Sequence, residues 1–166
     1  MNHAWSEIAD CLRAEVAEYG ALLRLFEEQQ RHLFRRDSDA VLRFSADIEA
    51  QVRVLHECRR RREAAVSGFA VRHGRTADTT LRALFPLFAA EVQPLISALM
   101  GEINVLIHRV RRASRHNHLL LARAVEIHQQ LLRQLLPDSF TETYAASGRV
   151  SVATNVPPAP ALRAAG

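Results

Sequence analysis

Eight histidines, two cysteines and a run of four arginines are the residues of this 166-residue chain whose chemistry asks for an assignment. The histidines come closest together at His116 and His118. Residues two apart on a helix point to different sides, so the pair shares an ion poorly and reads as solvated surface. Cys11 and Cys58 stand far apart in the chain, lack Cys-x-x-Cys spacing and read as two reduced thiols. No glycine-rich phosphate loop, Gly-x-Ser-x-Gly elbow or His-Glu-x-x-His pair is present. No nucleophile, base and orienting group stand together either. The expectation is a protein that is not an enzyme, with no catalytic residue, no metal ligand and no cofactor.

Arg59, Arg60, Arg61 and Arg62 form the densest basic cluster, echoed by Arg109, Arg111, Arg112 and Arg115. Consecutive helical positions spread around the circumference, so the run makes no stripe, and no aromatic residues interleave for base stacking. The readings left open are a solvated face with salt bridges to Glu57 and Glu63, an acidic protein partner, and nucleic acid. Overall charge decides little. The 22 basic and 18 acidic residues give +4, and every basic residue is arginine. The pI near 10.0 follows from that lack of lysine more than from excess charge. No nucleic-acid partner is expected without a clustered patch.

These residues are positioned by long helices. Six glycines and six prolines, with four of the prolines from Pro137 onward, leave residues 1–85 without a proline. From Trp5 through Ala9, Leu12, Val16, Tyr19, Leu23, Phe26, Gln30 and Leu33, steps of four and three trace a heptad seam. Asp37, Ser38 and Asp39 supply capping oxygens, and a tight reversal is placed at Asp37 to Ser38. A second seam with polar interruptions runs through Val41, Phe44, Ile48, Leu55 and Phe69, ending near His73 and Gly74, where glycine suits a left-handed cap. Two seams of similar length and a short connection predict an antiparallel hairpin. Arg62 falls on this seam, its stem expected to lie over apolar surface with its head in water.

Thr76 and Asp78 are candidate caps of a short third helix through Leu81, Leu84 and Phe85. Pro86 suits the first turn of the next helix, whereas Pro94 falls inside it and should kink or interrupt it. The last seam, Leu99, Ile103, Leu106, Val110, Ala113, Asn117, Leu120, Ala124, Ile127 and Leu131, keeps one register, which favours one continuous helix from about Pro94 to Leu136, or from near Pro86 if the kink at Pro94 is mild, with Pro137 stopping it. The predicted class is all-α: an elongated up-and-down helical bundle or antiparallel coiled coil with a long last helix and a flexible C-terminal tail. The helical domain covers about 1–137, with helices about 4–36, 39–73, 77–85 and 87–136, and the tail is 138–166. Within the tail Val150 and Val152 alternate with polar residues in a weakly strand-like way.

The last helix carries more apolar surface than one neighbour needs. Leu120, Ala124, Ile127, Leu131 and Leu135 satisfy one seam, while Leu121, Val125, Leu132 and Leu136 form a second stripe about 100° away. Either both stripes are covered inside the bundle, or the second is a groove for an amphipathic segment of another protein. Asn117 occupies a seam position as a register-fixing amide or as a reader of a polar group on that segment. The first thirty residues carry Glu7, Asp10, Arg13, Glu15 and Glu18, and no stretch of 18 uncharged apolar residues occurs. A cytoplasmic protein without membrane insertion is expected.

Taken in order, these parts resemble the FlgN family of flagellar export chaperones. The first half of the resemblance is Glu15, Tyr19, Leu22, Leu23, Leu25 and Glu27, then Asp37, Leu42, Glu49, Leu55 and Arg59. The more specific half is Asn117, His118, Leu119, Leu120 and Leu121, then Leu131, Leu132 and Leu135, then Thr143, Tyr144, Ala145, Ala146, Ser147 and Gly148, which is similar to the family's Asn-x-x-Leu-Leu helix and Tyr-x-x-x-Gly tail. The resemblance implies a cytoplasmic chaperone of type III protein export. It would bind hook-associated proteins of the FlgK and FlgL type, prevent their premature assembly and deliver them to the export gate protein FlhA. Asn117, Leu121, Val125, Leu132 and Leu136 are then the candidate client-binding residues, and Tyr144 and Gly148 the candidate gate-docking residues. A monomer is expected over a dimer. The competing reading is a structural coiled-coil protein that self-associates through the same stripes and has no client.

Overall fold

The computed structural model describes residues 3–135, 140–144 and 150–154, with side chains for residues 5–135. Four α-helices follow one another: α1 (His3–Arg35), α2 (Ser38–Arg72), α3 (Leu81–Leu84) and α4 (Gln93–Leu135). A 3-10 turn, Phe85–Leu87, continues α3, and two strands, β1 (Phe140–Tyr144) and β2 (Val150–Thr154), follow α4. The architecture is the all-α helical bundle that the heptad seams predict. The chain divides into two compact units, residues 1–120 and 121–166.

Helices α1 and α2 pair as the expected antiparallel hairpin. Its turn closes by one device. The amide of Asp37 donates to the His32 carbonyl at 3.1 Å and that of Arg36 to the Leu33 carbonyl at 3.2 Å, which satisfies two orphan carbonyls at the end of α1. This geometry places Arg36 at φ 57, a left-handed conformation that an L side chain adopts at a cost of about 1 kcal/mol. Asp37 then caps α2, its Oδ1 accepting from the Ala40 amide at 3.0 Å. The far end of α2 repeats the motif. Gly74 donates to Val71 at 3.1 Å and Arg75 to Ala70 at 2.9 Å, and here the left-handed residue, φ +67, is a glycine.

The core of residues 1–120 gathers where α1 begins and α2 ends. Ile8, Leu84 and Ile96 are fully enclosed, and Phe69 stacks on Phe88 with ring centroids 4.7 Å apart. Three details differ from the sequence expectation. The cap of α3 is Thr80, whose Oγ1 accepts from Ala83. Thr76, assigned that role from sequence, pairs instead with Thr79 at 3.1 Å. The last helix starts at Gln93, so Pro94 sits in its first turn, where a missing N–H costs nothing and the expected kink does not follow. Pro86 lies in the 3-10 turn.

In the second unit, β1 and β2 pair antiparallel, with Phe140 opposite Thr154 and Tyr144 opposite Val150. The alternation at Val150 and Val152 is therefore a strand, within a segment expected to be a flexible tail. Leu136, Pro137, Gly148 and the rest of that tail lie outside the described residues.

Candidate functional site

The seam of α4 meets α1 through Ile103, Leu106 and Val110, all buried, and ends in a polar contact. Asn117 is 2% exposed. Its Nδ2 donates to the Phe26 carbonyl at 2.7 Å and to Gln29 Oε1 at 3.0 Å. Gln29 in turn donates to the Ser45 hydroxyl at 2.9 Å, so one buried chain of amides ties α4, α1 and α2 in register. Asn117 Oδ1 is enclosed with no partner among the described residues. Both amide hydrogens of Asn117 are used within the chain, which favours its register-fixing reading over a contact with a client.

Past Asn117 the burial stops. Leu120 and Leu121 are half-buried, and every residue from Ala122 to Leu135 is exposed. Val125, Ile127, Leu131 and Leu132 each leave roughly half of their surface in solvent, and Leu135 is 74% exposed. At 100° per residue, Leu120, Leu121, Val125, Ile127, Leu131, Leu132 and Leu135 fall within one arc of about 160°. The sequence separated a covered stripe from a vacant one. The structure shows Ile127, Leu131 and Leu135 of the expected covered stripe as open as Val125 and Leu132. His128 lies inside this arc, its Nδ1 3.1 Å from the Ala124 carbonyl. A carbonyl only accepts, so Nδ1 carries the hydrogen.

The arginine run resolves residue by residue. Arg60 and Arg61 pair with Glu57 at 3.5 and 3.6 Å, exposed contacts that contribute little. Arg62 does not lie over apolar surface with its head in water. Its Nε donates to Glu15, whose carboxylate is 2% exposed. Sequence spacing gave no sign of this pair, since the two residues lie 47 apart on different helices. His116 Nδ1 lies 2.7 Å from Gln30 Nε2, and no group of three or more metal-ligating side chains exists among the described residues. Cys11 and Cys58, distant in sequence, line one shallow pocket with Glu7 and Arg61. Burial pushes both thiols above their ordinary value, and neighbouring carboxylates add to the effect.

What the fold and site define is an all-α helical bundle whose longest helix carries exposed apolar side chains from Val125 to Leu135. The FlgN protein family model matches residues 1–151, and the chain belongs to the FlgN family, whose members are chaperones of flagellar export and not enzymes. No curated protein and no solved structure matches the chain. None of the described helices is long and apolar enough to cross a membrane.

Proposed function

We propose that this chaperone holds an amphipathic segment of a hook-associated client of the FlgK or FlgL type on α4 between Leu121 and Leu135, with Leu136 as a further client contact, and delivers it to the export gate protein FlhA in the cytoplasm. The observation that carries the reading is the run of exposed apolar side chains from Val125 to Leu135 on one face. Four of the five are about half exposed and Leu135 more so, so docking gains roughly half of a full burial for each, on the order of 1 kcal/mol. Five such side chains and a similar contribution from the client give about 10 kcal/mol before ordering and association costs. The surplus corresponds to micromolar binding at best, weak enough for hand-over. Tyr144 and Gly148 are the proposed gate-docking residues, since an aromatic anchor buries well in a receptor groove.

Val125 and Leu132 are both exposed, so changing them together to Asp tests the face without entering the core. Client co-purification should be lost while helical content stays. Retained client binding defeats the proposal. The chain without client should sediment as a monomer, whereas an obligate oligomer burying α4 would favour self-association as a structural coiled coil. Tyr144→Ala should weaken gate binding and spare the client.

A further inference from the structure

Residues 1–120 also form a pocket of about 390 Å³ that shares no residue with the exposed leucine face. Its floor is apolar, built from Leu12 of α1 and Met100, Ile103 and Val110 of α4. Its polar side presents Tyr19, Arg59 and Arg111, beside the Glu15 and Arg62 pair. Glu15 is the one carboxylate lining this pocket and it is engaged by Arg62. Arg59 and Arg111 have no carboxylate partner among the described residues. Three guanidiniums therefore face one acid.

Tyr19 is 7% exposed, and its hydroxyl makes no hydrogen bond among the described residues. Burial raises its phenol while Arg59 pulls the other way, so the hydroxyl remains a donor at neutral pH. Tyr19 lines the pocket, so its hydroxyl is open to an acceptor from outside the chain. Two free cations and one free donor beside an apolar floor match a single kind of visitor, an anionic head with an apolar body.

We propose that this pocket is a second polypeptide-binding site, which receives an acidic side chain together with its apolar neighbour from a protein partner. The carboxylate pairs with Arg59 and Arg111 and accepts from Tyr19, while the apolar side chain covers Met100 and Ile107, the half-buried apolar residues of the lining. Arg59 and Arg111 are exposed at the pocket edge, where an incoming chain reaches them without opening the bundle. Because α4 carries this pocket in its first half and the leucine face in its second, one chain can hold two segments at once.

Isothermal titration of the full chain with an acetylated, amidated Glu-Leu-Glu-Leu peptide tests this directly. The peptide should bind with a sub-millimolar constant that weakens in high salt. Its Gln-Leu-Gln-Leu counterpart should bind roughly tenfold more weakly, and so should the acidic peptide to the R59Q/R111Q double variant, the loss of a charge-assisted contact. Tyr19→Phe, which keeps the ring in the core, should cost roughly threefold. The V125D/L132D variant should bind the acidic peptide as the unmodified chain does, which separates this site from the client face. Equal affinity for the two peptides, or indifference to R59Q/R111Q, overturns the proposal. Hexanoate binding as tightly as the peptide also overturns it, assigning the pocket to small carboxylates.

Discussion

Breaking the Glu15 and Arg62 pair should be among the most damaging single changes to a polar residue in the bundle. The Glu15 carboxylate is 2% exposed and Arg62 22%, so Arg62→Leu leaves a carboxylate in the core without its counter-ion. Removing one partner of a fully buried pair costs about 3–5 kcal/mol. Water reaching the guanidinium in the folded state lowers this to about 2–4 kcal/mol, a large part of the roughly 5–15 kcal/mol that holds a domain together. Glu15→Leu strands the guanidinium instead, which can turn toward solvent, and should cost less, about 1–3 kcal/mol. The double variant E15L/R62L should return to within about 1 kcal/mol of the starting protein, because two apolar side chains need no counter-charge. Urea unfolding followed by far-UV circular dichroism gives each free energy, and the cycle gives the coupling. A coupling under about 0.5 kcal/mol would refute the reasoning, since the pair would then be no stronger than an exposed one.

The two helix ends closed by the same motif make a matched test. Arg36→Gly should stabilise by a few tenths to 1 kcal/mol by relieving a left-handed arginine, and Gly74→Ala should cost about 1 kcal/mol although nothing crowds its Cβ. Asn117→Asp places a carboxylate oxygen against the Phe26 carbonyl and Gln29 Oε1, and should destabilise by about 2–4 kcal/mol in the same urea assay. The Asp37 carboxyl is held below its ordinary value, chiefly by the Ala40 amide. A lowered folded-state pKa means stability present above the unfolded value near 4 and lost as pH falls through the folded value. The thermal midpoint of the chain should therefore exceed that of Asp37→Asn at neutral pH, and the difference should vanish as pH drops below about 4. The raised Cys11 and Cys58 thiols should react with iodoacetamide at pH 7 more slowly than free cysteine.

The long helices were legible because their information is local. Seam spacing, the Asp37 cap and the Gly74 stop each act within a few residues, and the structure realises all three. The start of α4 stayed open between Pro86 and Pro94 because a proline is equally at home at either, and Phe88 and Val92 pack into the core ahead of the helix. The Glu15 and Arg62 pair, the amide chain through Asn117 and the shared pocket of the two cysteines depend on which helix faces meet. No spacing rule within one helix reports that. The surplus leucines were visible in sequence, yet the division into a covered and a vacant stripe failed, since burial ends by position along α4 and not by face.

Hydrogen exchange along α4 tests the central claim most directly. In the chain alone, amides from Ala122 to Leu135 should exchange far faster than those around Ile103 and Leu106, because every residue there is exposed. Addition of a FlgK-type client should slow exchange across Val125 to Leu135 by at least about tenfold. Unchanged exchange there with the client bound, and new protection confined to residues before Asn117, would contradict the account.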